Sequence, residues 1–131
     1  MKKTFLFIAG ISGALGVTLG ALGAHALKHY LQPEALLSYE IAVRYQMYHS
    51  LALLIVALLF NKEMLGQSSI LKWVGWLFVA GIICFSGSIY ILSTRALTGI
   101  ETISFIVPLT PIGGVLFITG WVMLAMAAVR K

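Results

Sequence analysis

Four long apolar segments alternate with short polar ones along the chain. Three of them, 4–27, 73–94 and 102–129, contain no Asp, Glu, Lys or Arg. Each is longer than the roughly 18–20 apolar residues that an α-helix needs to cross the hydrocarbon core of a bilayer. A fourth, 45–61, reaches that length if residues 41–44 belong to it and the charged end of Arg44 extends to the interface. The pattern predicts four transmembrane spans, at about 4–27, 41–60, 73–94 and 104–129.

Prolines mark where two of these helices start. Pro33 is followed by Glu34, which is typical of a helix start, because proline at the first helical position lacks only an amide hydrogen that would be unpaired there. Apolar and polar residues then mix, so we expect this segment to lie along the outer membrane surface. Pro108 and Pro111 are tolerated only near the start of the fourth helix. We predict an all-α integral membrane four-helix bundle with a short interfacial helical segment before the second span, forming one domain over residues 1–131.

The composition is that of a membrane protein. The chain is 60% hydrophobic and only 10% charged, against about 25% charged residues in soluble domains. Its net charge of +5 does not indicate a nucleic-acid partner, because the nine basic residues stand singly or in pairs at the ends of apolar runs. With the N-terminus inside, the cytoplasmic side carries Lys2, Lys3, Lys62, Lys72, Arg130 and Lys131, and the outer side carries Lys28, Arg44 and Arg95. This bias predicts a multi-pass protein of the cell membrane with both termini cytoplasmic.

The first segment also has two features of a signal peptide. Lys2 and Lys3 precede it, and Ala24-His25-Ala26 fits the small-residue rule of a cleavage site. Its apolar part is longer than the usual 7 to 15 or so residues, so we favour an uncleaved span. The single cysteine, Cys84, excludes an intrachain disulfide and is expected to serve packing.

Small residues recur along the first span. Ala9, Gly13, Gly16, Gly20 and Gly23 are spaced four, three, four and three residues apart, which places them on one face of a helix. Helices in lipid associate where small residues let their backbones approach closely. We therefore expect this face to press against a neighbouring span or a second copy of the chain. The third span, which has glycines of its own, is the candidate neighbour.

Polar residues of all four spans are expected in the outer leaflet. The candidate polar cluster consists of His25, Tyr45, His49, Ser86, Ser88, Tyr90 and Thr110. Polar groups inside a membrane usually face the bundle interior and one another. We predict that His25, Tyr45 and His49 point inward, with at least one of Ser86, Ser88 or Thr110 within direct or water-mediated hydrogen-bonding reach. Two hypotheses follow. The cluster is a structural hydrogen-bond network, or it binds a small apolar or amphipathic ligand near His25 and His49: a quinone, a lipid headgroup or, less favoured, haem.

Four short motifs carry a family resemblance. They are GAHAL at 23–27, YQMYH at 45–49, FSGSIY at 85–90 and TPIGG at 110–114. Together the chain resembles the YgdD/YwdK-like family of small four-helix bacterial membrane proteins of unknown function, which has a small eukaryotic transmembrane relative. Leu22 stands where many members have phenylalanine. The resemblance implies membrane location and four spans, and it implies no activity.

The sequence lacks the usual marks of an enzyme. It contains no G-x-S-x-G, H-E-x-x-H, C-x-x-C or P-loop pattern, and its only carboxylates, at Glu34, Glu40, Glu63 and Glu101, lie outside the centres of the spans. We expect no catalytic residue, metal site or resident cofactor. The favoured function is therefore that of a small integral membrane protein that acts through helix packing, as a homo-oligomer or as an accessory subunit of a larger membrane complex. Ligand binding stays the alternative.

Overall fold

Helices make up all the regular structure in the part of the chain that the computed structural model describes, residues 1–61, 68–101 and 103–129. The helices are α1 Lys2–His25, α2 Pro33–Leu59, α3 Ser69–Gly81, α4 Ser88–Thr98 and α5 Leu109–Val129. A 3₁₀ turn, Leu27–His29, follows α1, and a π-helical segment, Ile82–Gly87, joins α3 to α4. Because α3, the π-helical segment and α4 are continuous, four helices within the described ranges are long and apolar enough to cross a membrane. The predicted all-α, four-span fold is confirmed.

Local chemistry sets the ends of these helices. Pro33 occupies the first turn of α2, and α5 begins at Leu109, directly after Pro108. Ser68 caps α3 by accepting a hydrogen bond from the Ile70 amide, and Gly99 ends α4 in the left-handed conformation that glycine adopts most easily. The segment expected at the membrane surface continues without a break into the second span. Its 27 residues give α2 a length of about 40 Å.

The small-residue face of α1 packs against α2. An added Cβ would lie 2.8 Å from the Tyr39 ring at Gly23, 3.2 Å from Val43 at Gly20 and 2.6 Å from Met47 at Gly16. The residue numbers on α1 fall as those on α2 rise, so the two helices are antiparallel in a fixed register. The expected close packing is therefore present within one chain. Its main partner is α2, however, and not the third span that the sequence suggested.

Glycines and phenylalanines alternate across the contact between the third and fourth spans. Three pairs share this arrangement: Gly81 with Phe117, Gly120 with Phe78, and Gly113 with Phe85. The Phe117 and Phe78 rings lie over Gly81 and Gly120, and Gly113 lies against the backbone and Cβ of Phe85, so a side chain at any of these glycines would collide with the facing helix. Since glycine occurs on both sides, neither helix can rotate or slide without pushing a ring into a backbone. This arrangement fixes α5 on the third span.

The bundle has an apolar half and a polar half. Phe5, Leu53, Val56, Leu71 and Val74 are fully buried at the end that carries the N-terminus, within one hydrophobic core. The hydrogen bonds between side chains of different helices lie toward the other end and the middle of the bundle. This asymmetry places the candidate site in the half that contains the start of α2.

Candidate functional site

Gln46 is the centre of a hydrogen-bond network that joins three helices. Its Nε2 donates to the carbonyl oxygen of Ser12 on α1 at 2.9 Å, and its Oε1 accepts from the hydroxyl of Tyr90 on α4 at 2.7 Å. The Ser50 hydroxyl lies 2.7 Å from the Ser12 hydroxyl and 2.7 Å from the Gln46 carbonyl oxygen. Gln46 is only 5% exposed. This amide therefore ties α2 to α1 and α4 inside the bundle.

Two more hydrogen bonds extend the contact toward the start of α2. The Tyr39 hydroxyl donates to the carbonyl oxygen of Leu19, and the Ser86 hydroxyl donates to that of Ala42, both at 2.8 Å. The Tyr39 and Tyr90 rings pack at 5.2 Å between centroids. Two predicted residues, Ser86 and Tyr90, thus belong to a buried network. Their partners are Ala42 and Gln46, and neither contacts a histidine.

His49 lies in a separate aromatic cluster between α2 and α5. Its ring stacks on Phe117 with centroids 3.4 Å apart, and it is 4% exposed. Trp121 Nε1 donates to His49 Nε2 at 3.2 Å, and His49 Nδ1 lies 2.8 Å from the Tyr45 carbonyl oxygen. An indole N–H can only donate, so the network assigns the neutral tautomer in which Nδ1 carries the proton and donates to Tyr45. Both ring nitrogens are therefore occupied, and a haem iron or metal would have to displace Trp121.

Ser88 and Thr110 form a third contact. Their hydroxyl oxygens are 2.6 Å apart, and the Ser88 hydroxyl also donates to the Phe85 carbonyl oxygen at 2.9 Å. Phe85 belongs to the π-helical segment, in which the ordinary i to i−4 hydrogen bonds are interrupted. The contact joins the start of α4 to the start of α5.

The predicted convergence of His25 with His49 is wrong. His25 is exposed at the end of α1 and makes no side-chain hydrogen bond to another described residue. The register that sets Gly23 against Tyr39 places His25 about 18 Å along the helix axis from His49. Tyr45, also expected to face inward, is 39% exposed, and its ring packs against Phe85 with centroids 4.8 Å apart. Of the seven predicted residues, Tyr45 stays beside His49, with ring centroids 6.0 Å apart, and Ser88 pairs with Thr110, but the seven do not form one cluster around the two histidines.

The buried polar side chains of the described residues are all paired. Within the described ranges, every buried side-chain nitrogen and oxygen has a hydrogen-bond partner. No group of three or more His, Cys, Asp or Glu residues in the same ranges could hold a metal ion. These observations favour the structural hypothesis for the buried polar residues. They do not support the ligand-binding alternative.

Two polar residues without such partners, Arg44 and Tyr48, lie on the outward face of α2. We call this face the α2 stripe: Leu37, Ile41, Arg44, Tyr48, Leu51, Ile55 and Leu58. The positions are spaced alternately four and three residues apart, the spacing of a helix seam that packs on another helix. Tyr48 and Leu51 are each 55% exposed, Arg44 is exposed, and Glu40 is exposed beside the stripe.

The register with α1 gives the depth of this stripe. Arg44 lies level with Leu19, about 9 Å below the end of α1, because consecutive helical residues rise by 1.5 Å. Tyr48 lies one turn deeper, level with Leu15 near the middle of the helix. A charged and a phenolic side chain are therefore exposed on the outside of the bundle at a depth where lipid chains are expected.

Comparison with known proteins identifies the family. Residues 19–114, which contain all four motifs named above, match the family described as "Protein of unknown function (DUF423)". The chain belongs to this family.

Individual relatives match over nearly their whole length. The chain is 45% identical over 129 residues to a UPF0382 membrane protein of Staphylococcus aureus, covering 98% of this chain and 97% of the relative. The UPF0382 membrane protein YwdK of Bacillus subtilis is 42% identical over 128 residues, covering 98% of each chain. A UPF0382 membrane protein of Haemophilus influenzae is 38% identical over 131 residues, covering 100% of this chain and 98% of the relative. No solved structure matches the chain.

Membership in this family confirms the resemblance, and the names of the relatives together with the four candidate spans fit a multi-pass membrane protein. The family's activity is unknown, so the residues themselves must suggest what this member does. Sequence reasoning missed Gln46 and Trp121 as site residues. The available indication for Gln46 was its side-chain amide inside an apolar run, four residues before Ser50. Nothing in the sequence pairs Trp121 with His49, because that contact depends on how α5 docks.

Proposed function

We propose that this protein is a non-enzymatic subunit that associates with other protein within the bilayer through the α2 stripe. The observation that carries the proposal is the contrast between the two faces of α2. Gln46, His49 and Ser50 on the inward face have hydrogen-bond partners in the chain. Arg44 and Tyr48 on the outward face are exposed, and the register with α1 sets them level with Leu19 and Leu15 of the first candidate span.

The energetic reason is the cost of polar side chains in lipid. An arginine at the centre of a membrane helix costs about 2.5–3.5 kcal/mol on insertion scales, although extension of its side chain to the interface reduces this. Tyr48 lies too deep for its hydroxyl to reach the interface easily. A protein surface that supplies acceptors to these groups removes much of the cost, whereas lipid chains supply none.

We propose further that the protein lies in the cell membrane with both termini in the cytoplasm. Six basic residues on the cytoplasmic side, against Lys28 and Arg95 at the outer ends of the spans and Arg44 within one, support this orientation. Of the six, Lys62, Arg130 and Lys131 lie outside the described residues, and the argument for them rests on sequence. Labelling of whole cells that carry Gln32→Cys or Gln67→Cys tests the orientation; position 67 also lies outside the described residues. An impermeant reagent should label only Gln32→Cys, and preferential labelling of Gln67→Cys contradicts the proposal.

Photo-crosslinking in intact cells tests the interface. A photoreactive amino acid at Leu51 or Ile55 should give protein adducts, whereas the same amino acid at Val122 on the exposed side of α5 should not. Val122 is a matched control because it lies at a similar depth to Leu51. Val122 follows Gly120 by two residues, Gly120 contacts Phe78, and Phe78 packs against His49, which precedes Leu51 by two residues. Equal yields of protein adducts at all three positions, or none at the stripe, would refute the proposed interface.

A further inference from the structure

We infer that an acyl chain of one phospholipid occupies the seam between α1 and the third span. This seam is a groove separate from the α2 stripe and from both histidines of the predicted cluster. Its wider half is a cavity of about 450 Å³ between Leu19 and Leu22 of α1 and Ile91, Thr94 and Leu97 of α4. The observations that carry the inference are the shape of the groove and its apolar lining.

The two helices that form the groove touch at one end and separate toward the other. Near the N-terminus, the Phe5 ring lies against Gly75, and the Phe5 and Trp76 rings pack with centroids 5.6 Å apart. A cavity of about 260 Å³ comes next in the seam, between Ile8 and Ile82, and the larger cavity lies beyond it. The groove therefore widens toward the end of the bundle that contains the start of α2. In the orientation proposed above, this end lies in the outer leaflet.

The wide half of the groove is apolar although polar residues line it. The rings of Tyr39 and Tyr90 lie there with centroids 5.2 Å apart. Their hydroxyls point away, since that of Tyr39 donates to the Leu19 carbonyl oxygen and that of Tyr90 to Gln46 Oε1. The Thr94 hydroxyl donates to the Tyr90 carbonyl oxygen of its own helix at 2.7 Å. All three hydroxyls thus bond to the protein, and the groove presents hydrocarbon to an occupant.

The size of the groove favours a single hydrocarbon chain over a helix. From Leu19 to Leu27 its wide half extends about 12 Å, because consecutive helical residues rise by about 1.5 Å. A volume of about 450 Å³ over this length gives a mean cross-section of about 40 Å². A helix with its side chains is about 10–12 Å across, which corresponds to about 80–110 Å². The groove therefore admits a chain of methylene groups and excludes a further helix.

The groove also has the direction of a lipid chain. Both helices are candidate spans, so the seam between them runs across the bilayer, as acyl chains do. Its walls include Leu22 and Leu97, which are 45% and 47% exposed in the protein alone. Helices in lipid associate through van der Waals contact, and an empty groove would leave these side chains without it. An acyl chain that enters from the wide end supplies the contact where the two helices do not meet.

Lipid retention tests the inference. The protein is reconstituted into vesicles of dioleoylphosphatidylcholine, extracted, washed in lipid-free detergent micelles and weighed by native mass spectrometry. The native protein should retain one phospholipid per chain. Thr94→Trp and Leu97→Trp fill the groove from α4 and should each lower the retained fraction by about tenfold or more. Thr119→Trp is the matched control, because the Thr119 hydroxyl makes the same type of bond to its own helix but lies on the exposed side of α5.

Two results of this measurement would overturn the inference. One is the loss of all phospholipid from the native protein on washing, and the other is equal retention by Thr94→Trp, Leu97→Trp and Thr119→Trp. Vesicles of dioleoylphosphatidylglycerol should give the same retention, because the groove contacts the chain and not the headgroup. Retention of only one of the two lipids would overturn the acyl chain as the part that is recognised.

Thermal unfolding in detergent shows whether the chain closes the seam and whether the variants are folded. Removal of lipid should lower the unfolding temperature of the native protein and of Thr119→Trp. Thr94→Trp should be affected less, because its indole ring takes the place of the chain, and Leu97→Trp should behave in the same way. An equal loss in all four proteins would overturn the inference.

Discussion

Replacement of Gln46 with leucine should destabilise the fold more than the loss of two hydrogen bonds alone. Each interhelical hydrogen bond in a membrane protein contributes about 0.6 kcal/mol on average, so the bonds to Ser12 and Tyr90 account for about 1.2 kcal/mol. The Ser12 carbonyl oxygen lies within α1 and keeps its helical partner. The Tyr90 hydroxyl is left without a hydrogen-bond partner, and an unsatisfied buried donor costs about 1–3 kcal/mol. We expect Gln46→Leu to lower the free energy of unfolding by about 2–4 kcal/mol.

A double-mutant cycle isolates the contact between these side chains. Tyr90→Phe removes the hydroxyl that Gln46→Leu leaves unsatisfied, so the double variant should lose less than the sum of the single losses. The expected coupling is about 0.6–1.7 kcal/mol, measured by reversible unfolding in mixed micelles. Thr18→Ala, which removes a local hydrogen bond on the exposed side of α1, is the control and should change little. Additive losses for Gln46→Leu and Tyr90→Phe would show that the two groups are not bonded in the membrane.

Three further changes test packing, each read as thermal stability in detergent. Gly16→Leu should cost about 1–3 kcal/mol by forcing α1 from α2, whereas Leu15→Phe on the exposed side should be tolerated, and equal tolerance would contradict the seam. Gly120→Ala places a Cβ 2.7 Å from a phenylalanine ring and should destabilise, while Gly10→Ala, with no such neighbour within 4 Å among the described residues, should be neutral or stabilise by up to about 1 kcal/mol. His49→Leu should cost about 1–3 kcal/mol by breaking both ring hydrogen bonds, and an unchanged stability would show that the ring is not held this way.

The architecture could be predicted because apolar length and proline position are local properties of the chain. Pro33 and Pro108 restrict helix starts wherever the helices pack. The spacing of Gly16, Gly20 and Gly23 likewise predicted close packing. It could not identify the partner, because a row of small residues on one helix contains no information about which helix fills the space.

The candidate site could be predicted only in part, and the reason is helix register. His49 was expected near the outer surface because the second span was counted from residue 41. In the structure α2 starts at Pro33 as one helix, so His49 lies 16 residues, about 24 Å, from its beginning. His25 is exposed at the end of α1 and therefore cannot reach it. The aromatic contacts of His49 with Phe117 and Trp121 also depend on the docking of α5, which no local pattern specifies.

The most direct test of the account is whether protein or lipid covers the α2 stripe. A nitroxide label can be attached at a cysteine that replaces Leu51 or Val122, in Cys84→Ser protein reconstituted into vesicles together with the proteins that co-purify with it, and its collision rate with dissolved oxygen measured. Both positions are exposed in the single chain, at 55% each, and lie at similar depth. The account predicts a markedly lower collision rate at Leu51 than at Val122, because protein bound at the stripe excludes oxygen-rich lipid. Equal collision rates at the two positions would contradict it.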